Sequence, residues 1–348
     1  MYPSIMKEAL ISKGLNLTIQ DVQIPEPEPD QIIIQVVVSG SNPKDWKIAE
    51  LFPNYNGNSG DDIAGIVHSV GSNVWEFKKG DRVASFHEMM TPGGSFAEYA
   101  VGRQHVTFHL PNNVSFEDAA TIPLAAMTAA YGMHSRLRLP DPWTPAKERT
   151  PLVIYGGAAA VGAYAIKFAN LANIHPIIAV AGRGEKFVES LIDRSKGDTI
   201  VDYRKGHEAV VQGIKEALKG QKLWHAFDAT SEHGSYTNIA QVLEPTGYLT
   251  VVLPAEKYEG VPNTVKLANT NVGAAFKDEK DYAYLMFRYI ARGLAEGFFK
   301  PHPYEVIPGG LEGVLKGMEN LRDGKASGVK YVFRIGETPG VRSAPQSV

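Results

Sequence analysis

Hydrophobic and polar residues form short alternating runs along the first hundred positions. Four runs rich in Ile and Val occupy residues 15–25, 32–41, 62–71 and 81–86. The segments PEPEPD, NYNGNSG and FKKGD separate them, and their Pro, Gly, Asn and Asp residues favour turns. This pattern predicts a β-rich module of Greek-key or barrel character at the start of the chain.

From about Pro151 the pattern changes to apolar strands separated by stretches long enough for one helix each. The predicted strands are PLVIYG, PIIAVAG, DTIVDY, KLWHAFDAT and GYLTVVL, and TVKLANTNV could supply a sixth. Such alternation is typical of the α/β class, with a doubly wound parallel sheet and helices on both faces. We therefore predict a Rossmann domain in the middle of the chain.

After about Gly273 the sequence follows neither pattern. The segments DEKDYAYLMFRYIARGLAEG and LEGVLKGMENLRDG predict helices, and the stretches around YEVIP and KYVFRI predict strands. This tail could return to complete the first domain.

Composition narrows the class of protein. A chain of 348 residues exceeds what one hydrophobic core usually supports, and 44% hydrophobic with 21% charged residues is ordinary for a folded enzyme. The formal net charge is -3 and the basic residues are scattered, which argues against nucleic acid or anionic lipid as partners. The absence of cysteine removes disulfides, catalytic thiols and thiolate zinc sites.

Targeting signals are also missing from the sequence. The N-terminal residues contain no apolar signal-peptide core, and no segment approaches the roughly 20 apolar residues that span a bilayer. We expect a cytoplasmic protein without membrane association.

The clearest candidate for chemistry is the run LVIYGGAAAVG at 152–162, where a strand leads through small residues into an apolar helix. Small side chains let a backbone approach a pyrophosphate, and the free N–H groups at a helix start stabilise its charge. We expect Gly156, Gly157, Ala158, Ala159, Ala160 and Val161 to bind a dinucleotide. Because the run departs from G-x-G-x-x-G, the alternative is a tight strand-to-helix turn without a ligand.

The end of the second Rossmann strand indicates which dinucleotide binds. An NAD enzyme places an acidic residue there for the ribose diol, whereas this chain reads AVAGRGEK. Gly182, Arg183 and Lys186 leave space and positive charge for a 2′-phosphate, which favours NADP(H). Tyr203, after the third strand, could pack beside the adenine ribose. The alternatives are solvated basic residues at a helix start and a half-buried strand tyrosine.

Seven stretches together resemble the medium-chain dehydrogenase/reductase superfamily across nearly the whole chain. They are SNPKDWK, GDDIAGIVHSVG, KKGDRV, GGSFAEYAV, AATIPLAAMTAAYG, YGGAAAVG and GKASGVKYVF. The resemblance implies a GroES-like catalytic domain formed by residues 1–127 and 274–348, a Rossmann domain at 128–273, and an active site in the cleft between them.

Within the superfamily the sequence is most similar to the zinc-independent quinone oxidoreductases and to the fungal trans-acting enoyl reductases that serve polyketide synthases. Zinc-dependent members carry a cysteine near SNPKD, a Gly-His-Glu run where this chain has Gly60-Asp61-Asp62, and a further ligand near Leu124. None of these positions supplies Cys or His here. Zinc prefers thiolate and imidazole ligands, so the resemblance implies reduction without a metal.

Without a Lewis acid, the reaction that the resemblance implies is conjugate reduction. Hydride from NADPH adds to the β-carbon of an activated double bond, and a donor must stabilise the enolate oxygen. Lys47, Asn42 and Thr128 lie in stretches that the family places beside the nicotinamide. Lys47 could stabilise the enolate or bind an anionic part of the substrate, and Asn42 and Thr128 could orient the cofactor. Other positions expected to line the cofactor are Leu253, Pro254, Ser327, Gly328 and Lys330.

Three functions remain open from the sequence. The first is NADPH-dependent reduction of an enoyl thioester or another α,β-unsaturated carbonyl, the second is quinone reduction, and the third is a non-catalytic NADPH-binding role. Fold alone does not decide among them. The substrate could be a small molecule or carrier-bound, a polyketide synthase is a candidate partner, and both a monomer and a homodimer are compatible with the sequence.

Overall fold

The computed structural model describes residues 5–341. Contacts divide the chain into two compact units. Unit 1 comprises residues 1–124 and 273–348, and unit 2 comprises residues 125–272.

The described part of unit 1 contains ten strands, numbered in chain order together with those of unit 2. They are β1 Ile5–Ser12, β2 Asn16–Gln23, β3 Gln31–Gly40, β4 Asn56–Gly57, β5 Asp62–Val70, β6 Arg82–Phe86, β7 Tyr99–Arg103, β8 Thr107–His109, β15 Tyr304–Val306 and β16 Lys330–Arg334. The main sheet has the order β15-β16-β3-β5-β6-β8, and β7 also pairs with β3, while β2, β1 and β4 form a smaller sheet. The predicted β-rich module is confirmed.

The tail after residue 273 joins the first sheet. Strand β16 pairs antiparallel with β3, with Val332 opposite Gly40. Buried side chains from both ends of the chain share one core, which includes Ile34 and Ile63 from the first part and Phe333 from the tail. The two ends of the chain therefore build one unit.

Unit 2 contains a six-stranded parallel sheet in the order β11-β10-β9-β12-β13-β14. Its strands are β9 Leu152–Tyr155, β10 Ile177–Ala181, β11 Thr199–Asp202, β12 His225–Asp228, β13 Tyr248–Val251 and β14 Lys266–Asn269. This is the doubly wound order of a Rossmann fold, in which ligands bind beyond the carboxyl ends of the strands where the order reverses. All six predicted strands are present.

Nine α-helices lie within the described residues. They are α1 Pro43–Leu51, α2 Phe116–Ala119, α3 Pro123–Ala130, α4 Ala160–Leu171, α5 Glu185–Glu189, α6 His207–Leu218, α7 Ser235–Ala240, α8 Lys280–Glu296 and α9 Val314–Arg322. A π-helical turn, Tyr131–Arg136, follows α3 directly.

Candidate active site

The glycine- and alanine-rich loop connects β9 to α4. Gly156 has a φ of +81°, and a Cβ at this position would lie 2.5 Å from Oγ1 of Thr230, which follows β12. A Cβ on Gly162 would lie 2.2 Å from the carbonyl oxygen of Gly156. Glycine is therefore required at both positions, because a side chain would displace the loop that follows β9, beside the turn that follows β12.

The start of α4 presents backbone N–H groups in the same loop. Ala159 is the N-cap residue and is exposed, and its methyl group cannot accept a hydrogen bond from the first turn. Ala158, Ala160 and Val161 are half-buried. Because the first N–H groups of a helix lack intrahelical partners, this end of α4 offers donors and a positive dipole to an anion.

A depression of about 670 Å³ lies at the carboxyl end of β10. Its lining consists of Gly182, Arg183, Glu185, Lys186, Glu189, Ser190 and Arg204. The Tyr203 ring stands beside it, 45% exposed, and a Cβ on Gly182 would lie 2.6 Å from that ring. The structure thus brings the predicted residues Arg183, Lys186 and Tyr203 together. Gly182 lies among them and, without a side chain, leaves room for the tyrosine ring.

Arg204 is a third basic residue of this depression that the sequence analysis did not single out. Its Nε and Nη2 atoms donate to Oδ1 and Oδ2 of Asp202 at 2.9 and 2.7 Å. Hydrogen bonds from the Arg204 side chain lower the pKa of Asp202 to about 2. Arg204 could have been found in the sequence from its position directly after Tyr203. Both residues follow β11, which pairs with β10 in the sheet.

A buried carboxylate fixes the turn after β12, which approaches Gly156. Asp228 accepts hydrogen bonds from the backbone N–H of Thr230 at 3.0 Å, from that of Ser231 at 2.8 Å, and from the Ser235 hydroxyl at 2.5 Å. Burial raises the pKa of Asp228 to about 6, and these hydrogen bonds only partly oppose that shift. Asp228 therefore shapes the loop that faces the turn at Gly156.

The raised pKa of Asp228 predicts a pH-dependent stability. Between pH 4 and pH 6 the folded chain retains a proton that the unfolded chain releases, so the free energy of unfolding falls as pH rises. From the ordinary value to about 6, the loss is about 3 kcal/mol. Urea unfolding at pH 4 and pH 7 should show this loss in the wild type and a smaller one in Asp228→Asn. An equal loss in both proteins would contradict the assignment.

In unit 1 the structure brings Asn42 and Lys330 together in a buried network. Lys330 Nζ donates to Asp62 Oδ2 at 2.5 Å and to Asn42 Oδ1 at 3.1 Å. Asn42 Nδ2 donates to the same Asp62 oxygen at 2.7 Å. The Asn42 and Lys330 side chains therefore hold a buried carboxylate. Either residue could contact a cofactor through its backbone or through side-chain hydrogen bonds that these contacts do not use.

The other two proposed catalytic residues lie on helices of different units. Lys47 is half-buried on α1 in unit 1, with its Nζ 5.2 Å from the centroid of the Trp46 ring. Thr128 is 6% exposed on α3 in unit 2, just before the π-helical turn. Such turns occur frequently at functional sites.

The remaining predicted cofactor residues follow β13 or precede β16. Leu253 is half-buried, and its carbonyl accepts a hydrogen bond from the Tyr258 hydroxyl at 2.7 Å, whereas Pro254 is exposed. Ser327 is half-buried, and Gly328 has a φ of +68° in the turn that leads into β16. Their role in cofactor binding stays a prediction.

The residues at the zinc-ligand positions do not fit a zinc ion. Asp62 is paired with Lys330, Asp61 is paired with Lys44, and Leu124 contributes its backbone N–H to Asp62 Oδ1 at 2.7 Å. Within residues 5–341, no three His, Asp or Glu side chains are arranged to hold a metal ion. A donor set of lysine-paired carboxylates lacks the thiolate and imidazole ligands that zinc prefers.

Comparison with known proteins agrees with this geometry. The profile of the Alcohol dehydrogenase GroES-like domain matches residues 28–112. The chain is 47% identical to the Trans-enoyl reductase fsr4 of Gibberella fujikuroi over 314 residues, which cover 89% of this chain and 93% of that protein.

Two solved structures share the fold. CurK enoyl reductase superposes with a TM-score of 0.78 at 20% identity, over 95% of this chain and 99% of that chain. A quinone oxidoreductase of Pseudomonas syringae superposes with a TM-score of 0.77 at 20% identity, over 94% and 99% of the two chains. Among the helices of residues 5–341, none has the length and hydropathy needed to span a membrane. Sequence identity and fold together place this chain in the fungal enoyl reductase branch of the medium-chain dehydrogenase/reductase superfamily, a superfamily of oxidoreductases that use a nicotinamide cofactor.

Proposed function

We propose that this protein reduces an activated carbon–carbon double bond with NADPH and without a metal ion, and that its substrate is an enoyl thioester on a carrier. The observation that carries the proposal is the depression beside the phosphate-binding loop. Arg183, Lys186 and Arg204 surround it, and the strand that leads into it ends at Ala181 instead of a carboxylate. Such a site favours the 2′-phosphate of NADP(H) over a free ribose diol.

We propose that unit 2 is the cofactor-binding domain and unit 1 the catalytic domain. The backbone of the loop at 156–161 binds the pyrophosphate, and Arg183 and Lys186 bind the 2′-phosphate. Tyr203 packs beside the adenine ribose. Leu253, Pro254, Ser327 and Gly328 line the rest of the cofactor mainly through their backbone.

When bound, the cofactor supplies a hydride to the β-carbon of the substrate, and the protein must then stabilise negative charge on the carbonyl oxygen. We assign that task to Lys47. Lys47 is half-buried on α1 and lies in the stretch SNPKDWK, which the family resemblance places beside the nicotinamide. Lys47 lies one helical turn after Lys44 on α1. A preorganised cation aimed at the developing enolate lowers the barrier in the way of an oxyanion hole.

Thr128 is assigned to orienting the cofactor, because it lies on α3 in the stretch that the family resemblance places beside the nicotinamide. Asn42 is assigned a positioning role, since both polar atoms of its amide bind the Asp62–Lys330 pair. It fixes the start of α1, and its own backbone N–H donates to Asp45 Oδ2 at 2.7 Å. In this way Asn42 sets the position of the helix that carries Lys47.

A further part of the proposal concerns which protein supplies the carrier-bound substrate. The similar protein from Gibberella fujikuroi is named a trans-enoyl reductase, which supports an enzyme that receives its substrate from another chain. We propose a polyketide synthase as that partner. A quinone oxidoreductase shares the fold, so quinones belong in the test as the competing substrates.

The test follows NADPH absorbance with enoyl thioesters, alkenals and quinones as substrates. We expect enoyl thioesters to accelerate NADPH oxidation most and Lys47→Met to lower kcat by about 100-fold. Lys13→Met, which removes an exposed lysine in the turn between β1 and β2, is the matched control and should retain full activity. Preference for quinones would favour the second function, and tight NADPH binding without turnover on any substrate would leave a non-catalytic role.

A further inference from the structure

A lysine ammonium group in unit 1 is held by three oxygen atoms. Lys44 Nζ contacts Asp61 Oδ2 and the carbonyl oxygen of Ser59, and it lies 3.0 Å from Asp45 Oδ1. Asp45 and Asp61 are 0% and 1% exposed, and the Lys44 side chain is 19% exposed. The ammonium therefore sits in a small oxygen-lined cage, which we call the Lys44 cage and which consists of Asp45, Ser59 and Asp61.

Each carboxylate of the Lys44 cage uses one oxygen to anchor itself in the protein. Asp45 Oδ2 accepts the backbone N–H of Asn42 at 2.7 Å, and Asp61 Oδ1 lies 2.9 Å from His87 Nδ1. The other oxygen of each carboxylate, Asp45 Oδ1 and Asp61 Oδ2, is buried without a well-directed hydrogen bond, and each contacts the Lys44 ammonium. The cage is thus preorganised around a positive charge.

The hydroxyl of Ser59 is a further observation at the same place. Ser59 is 2% exposed, and its Oγ atom is buried without a hydrogen-bond partner. A buried hydroxyl left unsatisfied in this way costs stability unless it finds a partner. The carbonyl oxygen of the same residue contacts Lys44 Nζ, so this unsatisfied hydroxyl belongs to a residue that already lines the cage.

The charges in the cage depend on one another. Burial acts to lower the pKa of Lys44, but the charges of Asp61 and Asp45 outweigh it, so the pKa is raised above its ordinary value. Burial raises the pKa of Asp45 to about 7, and the Lys44 charge opposes that shift. Without Lys44, two buried carboxylates would face each other with no cation between them, which is strongly unfavourable.

The Lys44 cage presents oxygen donors only. Oxygen donors suit hard cations such as Mg²⁺ and Mn²⁺ and not zinc. A cation is present there, but the chain itself supplies it.

We propose that the Lys44 side chain closes a latent cation site, so that its removal converts the cage of Asp45, Ser59 and Asp61 into a binding site for a hard divalent cation. In the native protein the lysine supplies the charge that would otherwise have to come from a metal. The lysine balances part of the negative charge of the carboxylates, and this part of unit 1 keeps its structure regardless of the metal available.

The test uses the full-length chain, treated with chelator, and Mn²⁺ as the probe. We expect Lys44→Ala to lower Tm by about 5 °C or more in the absence of metal. Mn²⁺ should bind this variant at one ion per chain, seen as loss of the electron paramagnetic resonance signal of free Mn²⁺, and should restore most of the lost Tm. Wild type should show neither effect.

Two further variants control the result. Lys7→Ala breaks an exposed Lys–Asp pair of 3.0 Å between Lys7 and Asp21, and it should neither lower Tm appreciably nor bind Mn²⁺. Lys44→Ala/Asp61→Asn removes one cage carboxylate together with the lysine, so it should be more stable than Lys44→Ala without metal and should bind Mn²⁺ at least tenfold more weakly.

Three outcomes would overturn the proposal. One is a Lys44→Ala protein that leaves the Mn²⁺ signal unchanged at about 1 mM metal, whatever its Tm, since even weak all-oxygen sites have a Kd of about 0.1–1 mM. The second is wild type that binds Mn²⁺ as tightly as the variant. If Lys44→Ala fails to fold without metal, it is refolded with Mn²⁺: recovery of folding supports the proposal, and continued failure to fold is the third contrary outcome. None of these readouts depends on NADPH turnover, so they stand apart from the proposed enzyme function.

Discussion

Gly162→Ala is expected to raise the Kd for NADPH by about 100-fold while the chain remains folded. The added Cβ would lie 2.2 Å from the Gly156 carbonyl oxygen and 2.8 Å from the carbonyl carbon, so the loop must move. Backbone N–H groups aimed at a pyrophosphate lose their alignment when the loop shifts by a fraction of a bond length. Fluorescence titration with NADPH, beside thermal unfolding of the same protein, measures both quantities.

The matched control for this variant is Gly220→Ala in the same unit. Gly220 also lies beyond the sheet core, after α6, with a φ of +79° and open space where an added methyl group would lie. Its substitution should cost about 1 kcal/mol through backbone strain and leave the Kd unchanged. If Gly162→Ala bound NADPH as tightly as Gly220→Ala, the loop at 156–162 would not be the phosphate site.

The second large effect is expected in the choice between NADPH and NADH. Arg183→Ala removes a cation from the depression at the end of β10, where a 2′-phosphate would make charge-assisted hydrogen bonds. One such bond contributes about 1.5–3 kcal/mol, so the preference for NADPH in kcat/KM should fall by about 10- to 150-fold. The kcat/KM for NADH should stay within about twofold of wild type, because NADH has no phosphate at that position.

Lys186→Ala and Arg204→Ala extend this test to the other basic residues of the depression. Each should lower the NADPH preference by a smaller factor than Arg183→Ala does. For Arg204 the reason is that its guanidinium is already paired with Asp202. Arg292→Ala, which breaks an exposed pair with Glu296 on α8, is the control and should leave the preference unchanged. An unchanged preference in Arg183→Ala would make the NADPH assignment wrong.

The strands of unit 2 could be predicted from sequence because their signal is local. Strands buried on both faces of a parallel sheet are continuous apolar runs, such as Leu152–Tyr155 and Ile177–Ala181, and turn residues mark their ends. In the tail, β16 was recognisable from the apolar run within KYVFRI, which is buried from Lys330 to Phe333, whereas β15 within YEVIP is mostly exposed and carried a weaker signal. The loop at 156–162 could be located from the first strand, since its small residues come directly after it; that it binds phosphate stays a prediction.

Several strands of unit 1 carried a weaker local signal. Strand β1 lies in IMKEALIS, where charged residues interrupt the apolar ones, and β8 has only three residues. Their place in the sheet is set by pairing with distant strands: β1 pairs with β2 and β4, and β8 pairs with β6. Burial in such strands depends on neighbours that a window of sequence does not contain.

The charged network of unit 1 could not be predicted because its members are far apart in the chain. Lys330 and Asp62 are separated by 268 positions, and Lys330 was expected from the sequence to line the cofactor. His87 carried no recognisable partner pattern, yet it lies beside Asp61. The Lys330–Asp62 pair forms because β5 and β16 both pair with β3. The residues next to each of these positions in the sequence do not indicate the pair.

The pairing of β16 with β3 has a consequence for synthesis on the ribosome. About 290 residues separate Gly40 from its partner Val332, so at ordinary translation rates the Val38–Gly40 edge waits roughly 15–60 s for its neighbour. Unit 2 is one continuous segment and can complete its sheet during that delay. The nascent chain therefore passes through a stage in which a finished domain follows an open, apolar strand edge, the stage at which chaperones would be most needed.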